Sequence, residues 1–377
     1  MVFTVFTTLS LISIGIYLIY YKSKSCKPKV FAKPNSNFSN YIASTCPILN
    51  ARYFPTWWTP CGHGTTIGRH FFQSRLFLKY KIEELFTKDG RNFITDWYPE
   101  PSQNSDYILV IIPGITANSQ TPYTEHLCAS ASKLNLQVVV CNHRGSRDEK
   151  VVGEKINCAT ETQPLIALLD CLKERYPSSK IIALGVSLGG MILTKYLSDA
   201  GVNSKVSYGI AVCMPWDCFQ TQISLEKSFI SRKVYNDKLS GNLRKFTRVN
   251  IDNITKATGI RQQDIELMKT ISIFDSKVVV PMYGYKSLEE YYMDASPAGR
   301  VDRIAIPFIS LNTRDDPFVP WRSIPIQEFE RNSNSMLLLT EAGGHVGFIE
   351  GTIPREGYYL SRLLSEVFQS LIAHSKE

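Results

Sequence analysis

The nine cysteines contain no Cys-x-x-Cys pair. Cys26, Cys46, Cys61, Cys128, Cys141, Cys158, Cys171, Cys213 and Cys218 are odd in number and scattered, so neither a disulfide framework nor a zinc site is indicated. Several, such as Cys141 and Cys213, sit in apolar runs and read as reduced thiols acting as small hydrophobes. No motif interleaves basic and aromatic residues as nucleic-acid binding requires, and the formal charge of +8 reads as evenly spread. What remains for that charge is a mild attraction to anionic membrane surfaces. No internal repeat or low-complexity segment occurs, and 377 residues suit one large α/β domain with an added segment, or two ordinary domains.

Charge is also missing from Val2 to Tyr21, a run rich in Phe, Val, Leu, Ile and Tyr that matches the roughly 20 residues needed to cross a bilayer. No Lys or Arg precedes it and no clear small-residue cleavage site follows, so it reads as an uncleaved anchor over 1–21 rather than a signal peptide. Lys22, Lys24, Lys27 and Lys29 come next, predicting a single-pass membrane protein whose body faces the cytosol, for which the endoplasmic reticulum is one suitable organelle. Two glycosylation triplets, Asn37-Phe38-Ser39 and Asn253-Ile254-Thr255, are expected by accident in a chain of this size.

After a juxtamembrane lead-in over 22–75, the body over 76–377 alternates apolar strands with amphipathic helices. That alternation predicts an α/β fold with a mostly parallel, eight-stranded sheet and helices on both faces. Lys81 to Phe86 and Phe93 to Tyr98 form an opening hairpin around Asp89-Gly90. The other strands begin at Tyr107, Gln137, Lys180, Lys205, Ile306 and Ser335, each a short apolar run of the kind buried on both faces. Helices are expected after Pro122 and over 161–176, 190–199, 324–331 and 357–374. The polar, Lys- and Arg-rich stretch over 218–303 reads as a helical cap inserted above the carboxyl ends of the strands.

Gly185-Val186-Ser187-Leu188-Gly189 fits the G-x-S-x-G nucleophile elbow and occurs where that motif must occur, between a strand and a helix. A serine hydroxyl is a weak nucleophile and needs a base, which follows an acid in chain order in this kind of sheet. Only His345 and His374 follow the elbow; His374 reads as a solvated residue near the C-terminus, whereas His345 lies in a glycine-rich loop after the last strand. The acid is expected after the penultimate strand, in Asn312-Thr313-Arg314-Asp315-Asp316-Pro317. Neighbours in an extended segment point to opposite sides, so the two aspartates compete; Asp316 is the choice because Asp316-Pro317-Phe318-Val319-Pro320 matches the common acid-loop pattern, with Asp315 open as the alternative. Backbone amides of Leu188 and Ile115 are the expected oxyanion donors. His143 and Asp148 form an H-x-x-x-x-D spacing best explained as a turn with Arg144 and Gly145.

With these pieces in place, the chain resembles the membrane-anchored α/β-hydrolase-domain family, in the branch that holds a medium-chain phosphatidylcholine phospholipase and the yeast medium-chain ester synthases. Matching motifs are Pro113-Gly114-Ile115-Thr116, Asn142-His143-Arg144-Gly145, Gly185 to Gly190, Tyr283-Gly284-Tyr285, Ala295-Ser296-Pro297, Asn312 to Pro320 and Gly343 to Phe348. Gly62-His63-Gly64-Thr65-Thr66 and Gly114-Ile115-Thr116 depart from the family's usual wording, and neither is expected to touch the catalytic residues. The resemblance implies an α/β-hydrolase fold and a serine hydrolase cleaving carboxylic esters of lipids, of the phospholipase A or carboxylesterase type. An acyltransferase or ester synthase passing the acyl group to an alcohol would share every residue named, and a non-catalytic membrane docking protein is the further alternative. No metal or organic cofactor and no nucleic acid is expected; the oligomeric state is left open. Lys227, Arg232, Lys233, Arg244, Lys245 and Arg248 in the cap are expected to meet phosphate headgroups.

Overall fold

The computed structural model describes residues 2–101, 105–147, 149–355 and 358–376, with side chains from Phe6 onward. Among these, the strands are β1 (Lys29–Phe31), β2 (Lys81–Phe86), β3 (Asn92–Tyr98), β4 (Tyr107–Ile112), β5 (Gln137–Cys141), β6 (Lys180–Val186), β7 (Tyr208–Val212), β8 (Phe308–Thr313) and β9 (Ser335–Thr340). They form one sheet in the order β1-β9-β8-β7-β6-β4-β5-β3-β2. The pairs β1·β9, β2·β3 and β3·β5 are antiparallel and the rest parallel. All eight expected strands are present. The ninth, β1, comes from the lead-in and caps the sheet edge beside β9, where three residues are too few to give a periodic signal.

Helices α1 (Val2–Lys24), α2 (Asn37–Thr45), α3 (Gly62–Phe72), α4 (Pro122–Ser132), α5 (Gln163–Arg175) and α6 (Leu188–Ala200) precede the cap. The cap holds α7 (Cys218–Lys227), α8 (Asp237–Val249), α9 (Ile251–Thr258), α10 (Ile271–Phe274), α11 (Val280–Tyr283) and α12 (Leu288–Ala295), all between β7 and β8. After it come α13 (Ile326–Arg331) and α14 (Tyr359–His374); position 357, expected to open the last helix, lies outside the described residues.

The inner strands are apolar along their whole length because both faces are covered. One layer joins Val110, Ile112 and Ala183 to α5, α6 and the cap; the other joins Leu109, Ile111 and Leu184 to α2, α4 and α14. Each large aliphatic chain so buried contributes about 1.5–3 kcal/mol. The lead-in belongs to this second layer: Phe38, Ile42, Ile48, Leu49 and Tyr53 are all buried in it. It is therefore built into the body rather than strung between an anchor and a domain.

Helix α1 forms over the apolar run, but among the described residues no helix is long and apolar enough to cross a membrane. The spanning anchor expected over Val2 to Tyr21 is therefore not supported among the described residues; Met1 lies outside them, as do the side chains of residues 2–5. Its apolar side chains nevertheless lie open: Phe6, Leu11 and Ile19 are 66%, 69% and 73% exposed.

Candidate active site

The sheet order places β4 beside β6 with Ile112 opposite Gly185, so the loop after β4 and the turn after β6 leave the sheet side by side. This is where the chain reverses direction across the sheet, the usual ligand crevice of such folds. Ser187 occupies the turn with φ 53 and ψ −116, a conformation that costs a non-glycine residue about 1–3 kcal/mol. The turn closes only because Gly189 lacks a side chain: a Cβ there would fall 2.0 Å from the Ile112 carbonyl oxygen.

β8 and β9 lie two and three places further along the sheet, and the loops after them return toward the turn. His345 follows β9, and its Nε2 stands 3.0 Å from Ser187 Oγ. Its Nδ1 stands 2.9 Å from Asp316 Oδ2. The other oxygen, Asp316 Oδ1, accepts the Phe318 and Val319 amides at 2.7 and 3.1 Å. Both oxygens are thus held, and the three side chains form one hydrogen-bonded line.

Asp315 lies in the turn after β8 and points away from that line. Its Oδ1 accepts the Gly344 amide at 2.9 Å and the Thr313 hydroxyl at 3.2 Å, while Oδ2 is buried with no hydrogen-bond partner among the described residues. Burial pushes its carboxyl up to about 6, and the neighbouring Asp316 adds to the rise. The geometry therefore brings Asp316, not Asp315, to the imidazole.

A cavity of about 560 Å³ opens from Ser187 beneath the cap. Ile115 and Leu188 line it beside the serine, and Leu243, Phe246, Phe274 and Tyr291 form much of its apolar wall. Leu188 is the first residue of α6, so its amide precedes the helical hydrogen-bond ladder. His143 also lines the cavity, and its buried Nε2 is 2.8 Å from the Pro113 carbonyl, holding the loop that carries Ile115. Asp148, its suggested partner, lies outside the described residues.

The architecture has known counterparts. Residues 107–352 match the family model described as alpha/beta hydrolase fold. The chain belongs to this family. Phospholipase ABHD3 of Homo sapiens is 30% identical over 376 residues, covering 96% of this chain and 89% of its own. A monoacylglycerol lipase of Saccharomyces cerevisiae is 28% identical and covers 69% of this chain and 59% of its own. Among solved structures, an esterase of Pyrococcus furiosus shares the fold at a TM-score of 0.52 and 17% identity, covering 78% of this chain and 90% of that one.

Within this hydrolase fold, the expectation that Gly62-His63-Gly64-Thr65-Thr66 stays clear of the catalytic residues is overturned. The segment opens α3, and Thr66 Oγ1 accepts the His345 backbone N–H at 2.8 Å. Gly62 lies so near the acid loop that a Cβ would come 1.6 Å from the Asp315 carbonyl oxygen. The two glycines and two threonines in five residues were the available signal, pointing to a close backbone approach.

Other placements differ as well. Phe318 stacks on His345 with centroids 4.1 Å apart and planes 12° from parallel, and Tyr235 of the cap packs on Phe318 at 4.9 Å. His374 is no solvated tail: it ends α14, packs on Phe38 and Tyr41, and sets Nδ1 3.1 Å from the Tyr208 hydroxyl at the start of β7. That is the opposite end of the sheet from Ser187. Of the six cap cations, Lys233 pairs with Asp237 at 3.1 Å, Arg248 pairs with Glu266, and Arg244 donates to the Met268 carbonyl at 2.8 Å. Half of the expected headgroup cluster is thus already engaged within the cap. Among the described residues no group of three His, Cys, Asp or Glu is arranged to hold a metal.

Proposed function

We propose that this chain is a serine hydrolase cleaving carboxylic esters of lipids through an acyl-enzyme. The observation that carries the reading is the continuous line from Ser187 Oγ through His345 to Asp316, at 3.0 and 2.9 Å, facing an apolar cavity.

Ser187 attacks the ester carbonyl while its proton passes to His345 Nε2. Asp316 holds the Nδ1–H tautomer and stabilises the imidazolium as it forms. Amides of Leu188 and Ile115 receive the developing oxyanion. The imidazolium then returns its proton to the departing alkoxide, leaving the acyl group on Ser187. Water, deprotonated by the same imidazole, attacks the acyl-enzyme; the imidazolium gives that proton to Ser187 Oγ as the acyl–oxygen bond breaks and the fatty acid leaves.

The substrate class is supported by the apolar cavity wall and by relatives named as phospholipase and monoacylglycerol lipase. We assign the enzyme to a membrane, with its body on the cytosolic side, a reading supported by Lys22, Lys24, Lys27 and Lys29 beside an exposed apolar helix. A fluorophosphonate probe tests the nucleophile. Native protein should label and Ser187→Ala should not; labelling that survives in the variant would move the chemistry to another residue. Incubation with a complex lipid extract then shows which esters fall.

A further inference from the structure

The positive charge is not evenly spread. Residues 1–80 hold nine of the 42 Lys and Arg and none of the 34 Asp and Glu, so the net +8 belongs to this segment and the rest of the chain is close to neutral. Lys29 pairs with Glu341 and Arg75 with Glu125, whereas Lys24 and Arg52 reach backbone carbonyls of Glu341 and Ser25. Lys22 and Lys27 are exposed.

The same segment carries a cluster of exposed aromatic side chains. Phe54 and Trp57 are each 52% exposed, Phe71 75% and Phe77 74%; Trp58 is partly open, and Ile353 joins them from the loop before α14. Single exposed apolar residues are ordinary, but these are connected. Tyr21 of α1 donates to the Pro55 carbonyl at 3.0 Å, next to Phe54. Trp58 packs edge-on against Phe72 at 5.4 Å and donates to the Thr352 carbonyl at 2.8 Å, next to Ile353. The open helix α1 thus runs directly into the aromatic rim. Across α3, His63 meets Tyr235 at 3.0 Å and His70 meets Lys238 at 2.6 Å, and the cap edge beyond exposes Phe229, Ile230 and Val234.

We propose that α1, the aromatic rim over residues 54–77 and the adjoining cap edge form one docking face for an anionic lipid bilayer. Three features select a bilayer over a protein partner. Aromatic rings with one polar edge satisfied suit the headgroup layer. Cations without carboxylate partners suit its surface potential. A helix apolar on every side suits acyl chains rather than one protein groove. Because α3 carries Phe71 at its outer end and Thr66 against His345 at its inner end, seating this face brings the bilayer near the seam between α3 and the cap. The docking does not rest on the lipid ester reading.

The test uses the full chain carrying Ser187→Ala, with binding rather than turnover as the readout, mixed with vesicles whose phosphatidylcholine is brominated in its acyl chains. Trp57 and Trp58 emission should be quenched, and the quenching should disappear in the Trp57→Phe/Trp58→Phe variant. Binding should weaken at least about tenfold when phosphatidylserine is left out of the vesicles. Protein that floats with vesicles unquenched would mean that α1 alone inserts, which overturns the face. Binding indifferent to phosphatidylserine would overturn its anionic preference. If the face joined two copies instead, the native chain would sediment as a dimer, Trp57→Glu/Phe71→Glu/Phe77→Glu as a monomer, and vesicle binding would be equal in both, which also overturns the proposal.

Discussion

At the scale of single residues, two adjacent carboxylates divide the work. Asp316 spends one oxygen on the imidazole and the other on two amides, whereas Asp315 ties the Gly344 amide and leaves an oxygen buried without a partner. Asp316→Asn should therefore lower kcat by about 10⁴-fold through loss of the correct tautomer. Asp315→Asn, whose amide oxygen can still accept from Gly344, should stay within about tenfold in the same ester assay. Stability should respond in the opposite sense. A folded carboxyl raised to about 6 is protonated in both folded and unfolded states at pH 3, and its ionisation opposes folding increasingly as pH climbs from 4 through 6. Asp315→Asn removes that burden, so its melting temperature should exceed the native value at pH 8, by roughly 3 kcal/mol of stability at most, and converge with it near pH 4. A melting series across that range checks the sign. The choice between the two aspartates was open in the sequence because both lie in the turn beyond β8; which one meets His345 depends on where the loop after β9 returns.

At the scale of elements, the legible parts were those whose surroundings are uniform. Strands β4 to β9 are buried on both faces, so their apolar runs stand out, and the elbow is readable because its glycines and serine are contiguous. Elements defined by distant partners were not readable. β1 is three residues that become a strand only because β9 has a free edge. Helix α3 has a role visible only when β9 and the acid loop are folded beside it. Its two contacts give separable expectations. Thr66→Val leaves the buried His345 N–H without an acceptor, which should cost about 1–3 kcal/mol and lower kcat more than KM changes. Gly62→Ala forces a methyl group against the Asp315 carbonyl, so α3 or the acid loop must shift, with a comparable stability loss. Unchanged melting and kcat in both variants would remove α3 from the support of the active site.

At the scale of the whole molecule, the cap and the sheet share the cavity unequally. The sheet supplies the reacting groups at one end, and α8, α10 and α12 supply much of the wall above them, including Leu243, Phe246, Phe274 and Tyr291. Chemistry and substrate choice can then vary independently, because replacing a cap side chain need not disturb β6, β8 or β9. Leu243 lines the cavity from α8 and is buried. Each methylene of an acyl chain seated against such a wall contributes up to about 0.8 kcal/mol, close to a fourfold gain in kcat/KM. Leu243→Trp fills part of that space, so along a series of straight-chain esters the rise in kcat/KM should stop several carbons earlier than in the native protein, while the shortest ester is hydrolysed at an unchanged rate. A uniform loss across the series would instead mean that the larger side chain had displaced the cap from Ser187, and an unchanged profile would place the acyl chain elsewhere.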